Sequence, residues 1–273
     1  MGVAETQRVA AYRMRQVIIL LLGMYLFIYV FAVPMLVFGL VPVWGTWMGG
    51  FLLILQGSLL ALWLTANAGG RGLLAALCIA VISWAVEHIG VTTGLPFGRY
   101  SYTDVLGWKF DGAVPLPIPF AWLLVVPAAI GAARLLVRAG HSISLLLVAP
   151  LLALTLDLLL EPVAAYITGY WQWLDSGPYY GVPTANFLAW GATALVLTML
   201  TIRLCGRRIT EATLLPAVPA LLYTLNLLQF TLVDLAYGYF VPALLGAAVT
   251  LGIVGRVRAL RLDIRMIDRL WRE

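Results

Sequence analysis

Charged side chains are scarce in this sequence: Asp, Glu, Lys and Arg supply 11% of 273 residues while hydrophobic types supply 63%, and the mean hydropathy is +0.98. Such a balance excludes a water-soluble globular domain. Histidine and cysteine are nearly missing, with two of each. His88 and His141 are too few for a histidine-rich di-iron centre, and the chain carries no HExxH, GxGxxG or Walker loop, so it offers neither a metal nor a nucleotide site. Cys78 lies within an apolar run and Cys205 at the end of another, a placement that excludes a disulfide between them. Paired Asp-rich magnesium motifs are absent, which argues against a prenyltransferase. No Ser-rich linker or block of like charge divides the chain, and residues 1–255 read as a single transmembrane domain followed by a basic tail, 256–273.

What is present is a series of long apolar runs. They fall near 17–38, 45–66, 73–91, 119–138, 143–160, 185–205, 213–235 and 238–255, each close to the roughly 20 residues a helix needs to cross a bilayer. The expected fold is all-α, a polytopic membrane helix bundle of about eight transmembrane helices. The first run follows Arg8, Arg13 and Arg15 as a signal peptide would, but it is too long and lacks a small-x-small cleavage site, so it reads as a retained span. Cytoplasmic segments hold the excess of Lys and Arg. With both termini cytoplasmic, every Lys and Arg except Arg99 and Lys109 falls on that side. The net charge of +5 then describes the basic inner face of a multi-pass protein of the inner (plasma) membrane, not a nucleic-acid surface. In the tail, Arg258, Arg261, Arg265, Arg269 and Arg272 recur at helical spacing opposite Leu260, Ile264, Ile267 and Trp271, a pattern suited to anionic headgroups.

That orientation gathers the intramembrane polar residues in the outer half of the bilayer. Glu87, Asp157, Glu161, Asn226, Gln229 and Asp234 lie late in outgoing spans, and Asn186 lies early in an incoming one, with Asp234 expected at the interface. A charged carboxylate at the bilayer centre costs at least ~2.5–3.5 kcal/mol, so such acids imply a buried partner or a reaction. Asp157 and Glu161 are four residues apart, on one helix face and about 6 Å apart along the axis, where two carboxyls resist ionising together. One of them is a candidate proton donor. The plainer reading is that they pair structurally, or that Glu161 meets outside water before Pro162. His88 follows Glu87, but neighbouring helical positions diverge by about 100°, so His88 is a supporting residue at most. Asn226 and Gln229 suit interhelical hydrogen bonding.

Two long outer segments, 92–118 and 161–184, share a grammar. The first runs from Glu87 through GRYSY to VPLPIPFAW and the second from Glu161 through GYWQW to GVPTANFLAW, each with an acid, a Gly-aromatic cluster, Val-Pro and a late Trp, Trp122 or Trp190. This pattern fits a degenerate duplication of a helix hairpin, or the general gathering of Trp and Tyr at membrane interfaces. Aromatic faces stabilise a nearby cation by ~0.5–2 kcal/mol each. Joined to a protonated acid, they would make a pocket for a short-lived carbocation. Arg99 and Lys109 read as solvated partners of Asp104 and Asp111.

The stretch EHIGVTTGLPFGRYSYTDVLGWKFDGAVPLPIPFAW, with the later TLDLLLEPVAAYITGYWQW and GPYYGVPTANFLAW, resembles the carotenoid hydratases of bacteria and archaea, of the CruF and bisanhydrobacterioruberin hydratase type. The resemblance is close over residues 80–200 and extends to helix number and length along the whole chain. It implies a cofactor-free hydro-lyase that adds water across the C1,C2 double bond of an acyclic carotenoid end group and leaves a tertiary alcohol. The substrate would be lycopene, a monocyclic carotene or a longer C50 analogue, met in membrane lipid, with other carotenoid-pathway enzymes as the expected partners.

Residue chemistry then assigns Glu87, Asp157 and Glu161 as the catalytic acids, Tyr100, Tyr102, Trp122, Tyr170, Trp171 and Trp190 as the lining of the cation, and Asn186 as a holder of water. A carotenoid cyclase would begin with the same protonation and close a ring. A lipid or carotenoid transporter would use the acids as a proton relay instead.

Overall fold

The computed structural model describes residues 3–137 and 142–270, with side chains described over 12–137 and 143–260. Arg8, Arg138, His141 and the tail side chains beyond residue 260 lie outside the described residues. The helices are α1 (Val3–Val37), α2 (Met48–Ala68), α3 (Gly70–Thr93), α4 (Pro117–Leu136), α5 (Ser142–Pro162), α6 (Thr184–Cys205), the short α7 (Arg207–Thr210), α8 (Val218–Ala236) and α9 (Phe240–Leu270). Among the described residues, eight segments are long and apolar enough to cross a membrane. This is a multi-pass helical membrane protein.

Helix α4 is the hub, in contact with α2, α3, α5 and α8. It is apolar all round and buried along most of its length, as a helix without a lipid-facing side should be. Small residues make that position possible. Gly57 on α2 lies directly against the Phe120 backbone of α4, and a Cβ at Gly131 of α4 would stand 2.8 Å from the Ala220 nitrogen of α8. Close backbone approach of this kind is how helices gain packing contacts where lipid supplies no hydrophobic drive.

The α3–α4 and α5–α6 connections carry short strands that hydrophobicity alone does not announce: β1 (Tyr100–Tyr102), β2 (Lys109–Phe110), β3 (Val114–Pro115) and β4 (Trp171–Trp173). Strand β1 pairs antiparallel with β4, setting Tyr100 opposite Trp173 and Tyr102 opposite Trp171, while β2 pairs with β3. Side chains alternate across a strand, so the Y-S-Y and W-Q-W triplets turn their rings to one face and Ser101 and Gln172 to the other.

Helix α5 corrects the sequence reading. The expected span stops at residue 160, whereas the helix runs to Pro162 and continues as a π-helical turn, Val163–Ile167. Glu161 therefore lies inside a helix and is 2% exposed, not at a watery exit. Pro162 has no N–H to offer the Leu158 carbonyl one turn back, and the Tyr179 hydroxyl donates to that oxygen at 2.9 Å instead. At the end of α3, Gly94 takes φ +79°, a left-handed stop that turns the chain back toward Glu87.

The tight α2–α4 seam gives a stability prediction. Gly57→Ala should lower thermal stability in detergent by about 1–3 kcal/mol through overpacking. Gly252→Ala on α9, where a Cβ meets nothing within 4 Å, should be neutral or slightly stabilising.

Candidate functional site

The C-terminal ends of α3 and α5 and the N-terminal ends of α4 and α6, roofed by β1 and β4, bring Glu87, Asp157 and Glu161 to one cavity of about 580 Å³. The three acids are 5%, 0% and 2% exposed. None forms an ion pair among the described residues. Neutral donors meet them instead.

Glu87 Oε2 accepts from the hydroxyls of Tyr100 at 2.7 Å and Tyr102 at 2.8 Å, and Oε1 accepts from Trp122 Nε1 at 3.1 Å. Glu161 Oε2 accepts from Trp171 Nε1 at 3.2 Å and Trp173 Nε1 at 2.9 Å, and Oε1 accepts from Asn186 Nδ2 at 3.1 Å. The two hairpins thus build matched half-sites, each with one acid near the C-terminal end of a helix and two ring donors from the strand that follows. Pairing of β1 with β4 joins the halves, and Trp122 stacks on Trp190 across them with ring centroids 4.2 Å apart.

Asp157 breaks the match. Its Oδ2 accepts from Asn186 Nδ2 at 3.2 Å, while Oδ1 is buried with no hydrogen-bond partner. Among the three acids it alone has a carboxyl oxygen that no protein donor reaches.

Burial and the adjoining Glu87 carboxyl push the phenols of Tyr100 and Tyr102 well above the ordinary tyrosine range, so both remain hydrogen donors. The strands carrying them are tied down at the surface. Arg99 donates through its backbone N and Nε to Asp175 at 2.8 and 2.9 Å, and that pairing holds the exposed Asp175 below the usual carboxylate range. Asp175, not Asp104 or Asp111, is the partner of Arg99. Lys109 does pair with Asp104, at 2.8 Å.

The expected lining residues Tyr100, Tyr102, Trp122, Tyr170, Trp171, Asn186 and Trp190 all border the cavity, as do Asn226 and Gln229. His88 does not; its ring stacks on Trp84 at 5.3 Å, on another face of α3. Asp234, expected at the interface, is completely buried, has no partner for either oxygen and lies outside the cavity lining. Sequence reasoning missed the donor role of Trp173 and the presence of Gln56. The alternation in GYWQW signals the first. The second is visible as the one amide between Met48 and Leu64.

Away from the acids the cavity is mostly apolar, bordered by Phe31 and Met35 of α1, Leu52 of α2 and Phe230 of α8, with the amides Gln56, Asn226 and Gln229 among them. Its lining includes the exposed Phe31, Trp44 and Tyr237, so the cavity reaches the surface of the bundle on the side of α1 and α8.

These features define a class: a multi-pass membrane protein with an interior carboxyl-aromatic chamber open toward an apolar side. Comparison with known proteins adds the family. The carotenoid biosynthesis protein family matches residues 48–253, from α2 to α9, and the chain belongs to it. The chain is also similar to bisanhydrobacterioruberin hydratase of Haloarcula japonica, 34% identical over 132 residues. That alignment covers 46% of this chain and 44% of the relative, so less than half the length of the relative is matched. No solved structure matches.

The donor count around Glu87 yields a test of the roof. Tyr100→Phe combined with Tyr102→Phe leaves Glu87 with one donor and should lower stability in detergent by several kcal/mol, at about 1–3 kcal/mol per unmet buried bond. Ser101→Phe, on the outward face of the same strand, should change it by less than about 0.5 kcal/mol.

Proposed function

We propose that this protein is a carotenoid 1,2-hydratase, which adds water across the terminal C1,C2 double bond of an acyclic carotenoid end group to leave a tertiary alcohol. The observation that carries the reading is the buried Asp157 Oδ1, which no protein donor satisfies, beside a stacked tryptophan pair in a chamber open to an apolar side. Membership of the carotenoid biosynthesis family and similarity to a hydratase support the substrate class and the reaction.

In this account the proton resides on Asp157 Oδ1. Glu87 and Glu161 have their lone pairs taken up by three donors each and act as fixed negative groups. Asp157 gives its proton to C2, the π electrons of C1=C2 form the new C–H bond, and a tertiary cation is left at C1. Ring faces of Trp122 and Trp190 and the two carboxylates stabilise that cation without capturing it. A water lone pair then bonds to C1, and the proton released from the oxonium returns to the Asp157 carboxylate. Addition of water changes no net oxidation state, so the acid cluster closes the balance with no redox partner.

The polyene lies along the apolar side of the cavity, between α1 and α8, with only its end group among the acids. Both termini face the cytoplasm, and the chamber lies in the outer half of the inner membrane.

Two experiments follow. In a host that makes an acyclic carotenoid, Asp157→Asn should reduce hydrated product at least a hundredfold, in the range of lost general-acid catalysis, with Glu87→Gln and Glu161→Gln less severe. Undiminished product from folded Asp157→Asn protein would remove Asp157 as the donor. For topology, a membrane-impermeant maleimide should label Ser101→Cys in cells with a permeabilised outer envelope and leave Arg207→Cys unlabelled. The opposite pattern would invert the orientation.

A further inference from the structure

Capture of a cation by water needs a held water as well as an acid, and the second polar group in the cavity supplies a place for one. This inference rests on the hydratase reading. Asn186 spends N–H donation on Asp157 and Glu161, which ties it to the acids. Gln56 of α2 and Asn226 of α8 also line the cavity, and they are 3% and 7% exposed.

Backbone carbonyls fix the orientation of both amides. Gln56 Nε2 donates to the Leu52 carbonyl at 3.2 Å, and Asn226 Nδ2 donates to the Leu222 carbonyl at 2.8 Å and to Gln56 Oε1 at 2.7 Å. A side-chain amide has two N–H donors and one carbonyl acceptor. Both donors of Asn226 are therefore committed, while no donor among the described residues reaches its Oδ1. One N–H of Gln56 is also uncommitted. Asn226 Oδ1 has no partner among the described residues and is not sealed away from the cavity. The hydrogen-bonded pair offers one donor and one acceptor, the complement of a hydroxyl group.

The station also lies at the right height. Helices α5 and α8 both run toward the roof, and the Tyr223 hydroxyl of α8 donates to the Leu152 carbonyl of α5 at 2.9 Å. Counting upward from that bond at about 1.5 Å per residue, Asn226 and Asp157 fall within about one helical turn of each other. A hydrocarbon polyene needs no amide in its pocket, whereas the water that attacks it does.

We propose that Gln56 and Asn226 position the nucleophilic water. The Gln56 N–H donates to the water oxygen, one water O–H donates to Asn226 Oδ1, and a lone pair is left for C1. After the C–O bond forms, the oxonium proton passes to the carboxylate that Asp157 has become, and the site is reset.

The test separates water capture from proton transfer. Gln56→Met and Asn226→Leu, each near in volume to the original, are purified in monodisperse form and given an acyclic carotenoid in heavy water. If water positioning is lost, the cation still forms and collapses back to alkene. The hydrated product should then fall at least about tenfold, while deuterium continues to enter the recovered substrate, so that the ratio of exchange to hydration rises by a similar factor.

Hydration within twofold of the unaltered protein in either variant would overturn the proposal. A parallel loss of exchange and hydration would overturn it too, by showing that the amides only hold α2 to α8. Failure of the unaltered protein to hydrate anything would instead remove the hydratase reading, and the water station with it.

Discussion

A buried carboxyl without a cation must find its hydrogen-bond donors among neutral groups, and this requirement organises the end of the bundle roofed by β1 and β4. Glu87 and Glu161 stand near the ends of α3 and α5, where helix backbone has no spare N–H to give them. Tyrosine hydroxyls and tryptophan indoles supply the donors, and these must descend from above. The strands β1 and β4 exist in the positions that deliver them. Each ring thus does two things at once, since its polar edge satisfies an acid while its apolar body closes the roof.

The same requirement explains why the third acid differs. Asp157 lies one turn below Glu161 on the same helix, beyond the reach of the strand donors, and Asn186 alone extends to it. The result is a graded set: two carboxyls with three donors each and one with a single donor and a bare oxygen. A proton-initiated reaction on an olefin calls for that division, with fixed negative groups beside a single proton carrier. The largely apolar side of the cavity, bordered by α1, α2 and α8, suits a hydrocarbon chain in that account.

Much of this was legible in the chain itself. The spans follow from apolar run length, and the acids stand out because charge is so rare in them. The repeated acid, Gly-aromatic cluster and late Trp correspond to real matched half-sites. What the sequence hid has physical causes. Strands of three residues are too short for a period-2 signal to exceed the general abundance of aromatics, so Tyr100, Tyr102 and Trp171 were legible as lining residues but not as members of paired strands that aim donors at the acids. The π turn after Pro162 continues the helix past Glu161, where the end of the apolar run near residue 160 had left an exit to water open as the plainer alternative. Arg99 pairs with Asp175 across two loops because strand pairing brings them together, and loop-local reasoning offered Asp104 and Asp111 instead. His88 was adjacent to Glu87 in sequence and turned away in space, as helical geometry demands.

The central claim is that solvent water, and nothing else, supplies the atoms added to the substrate. Purified protein in detergent, given an acyclic carotenoid in oxygen-18 water under anaerobic conditions, provides the direct measurement by mass spectrometry of the pigment. The account requires one heavy oxygen in each hydrated end group, as a tertiary alcohol. A product isomeric with the substrate, or one whose oxygen does not come from the solvent, would contradict it.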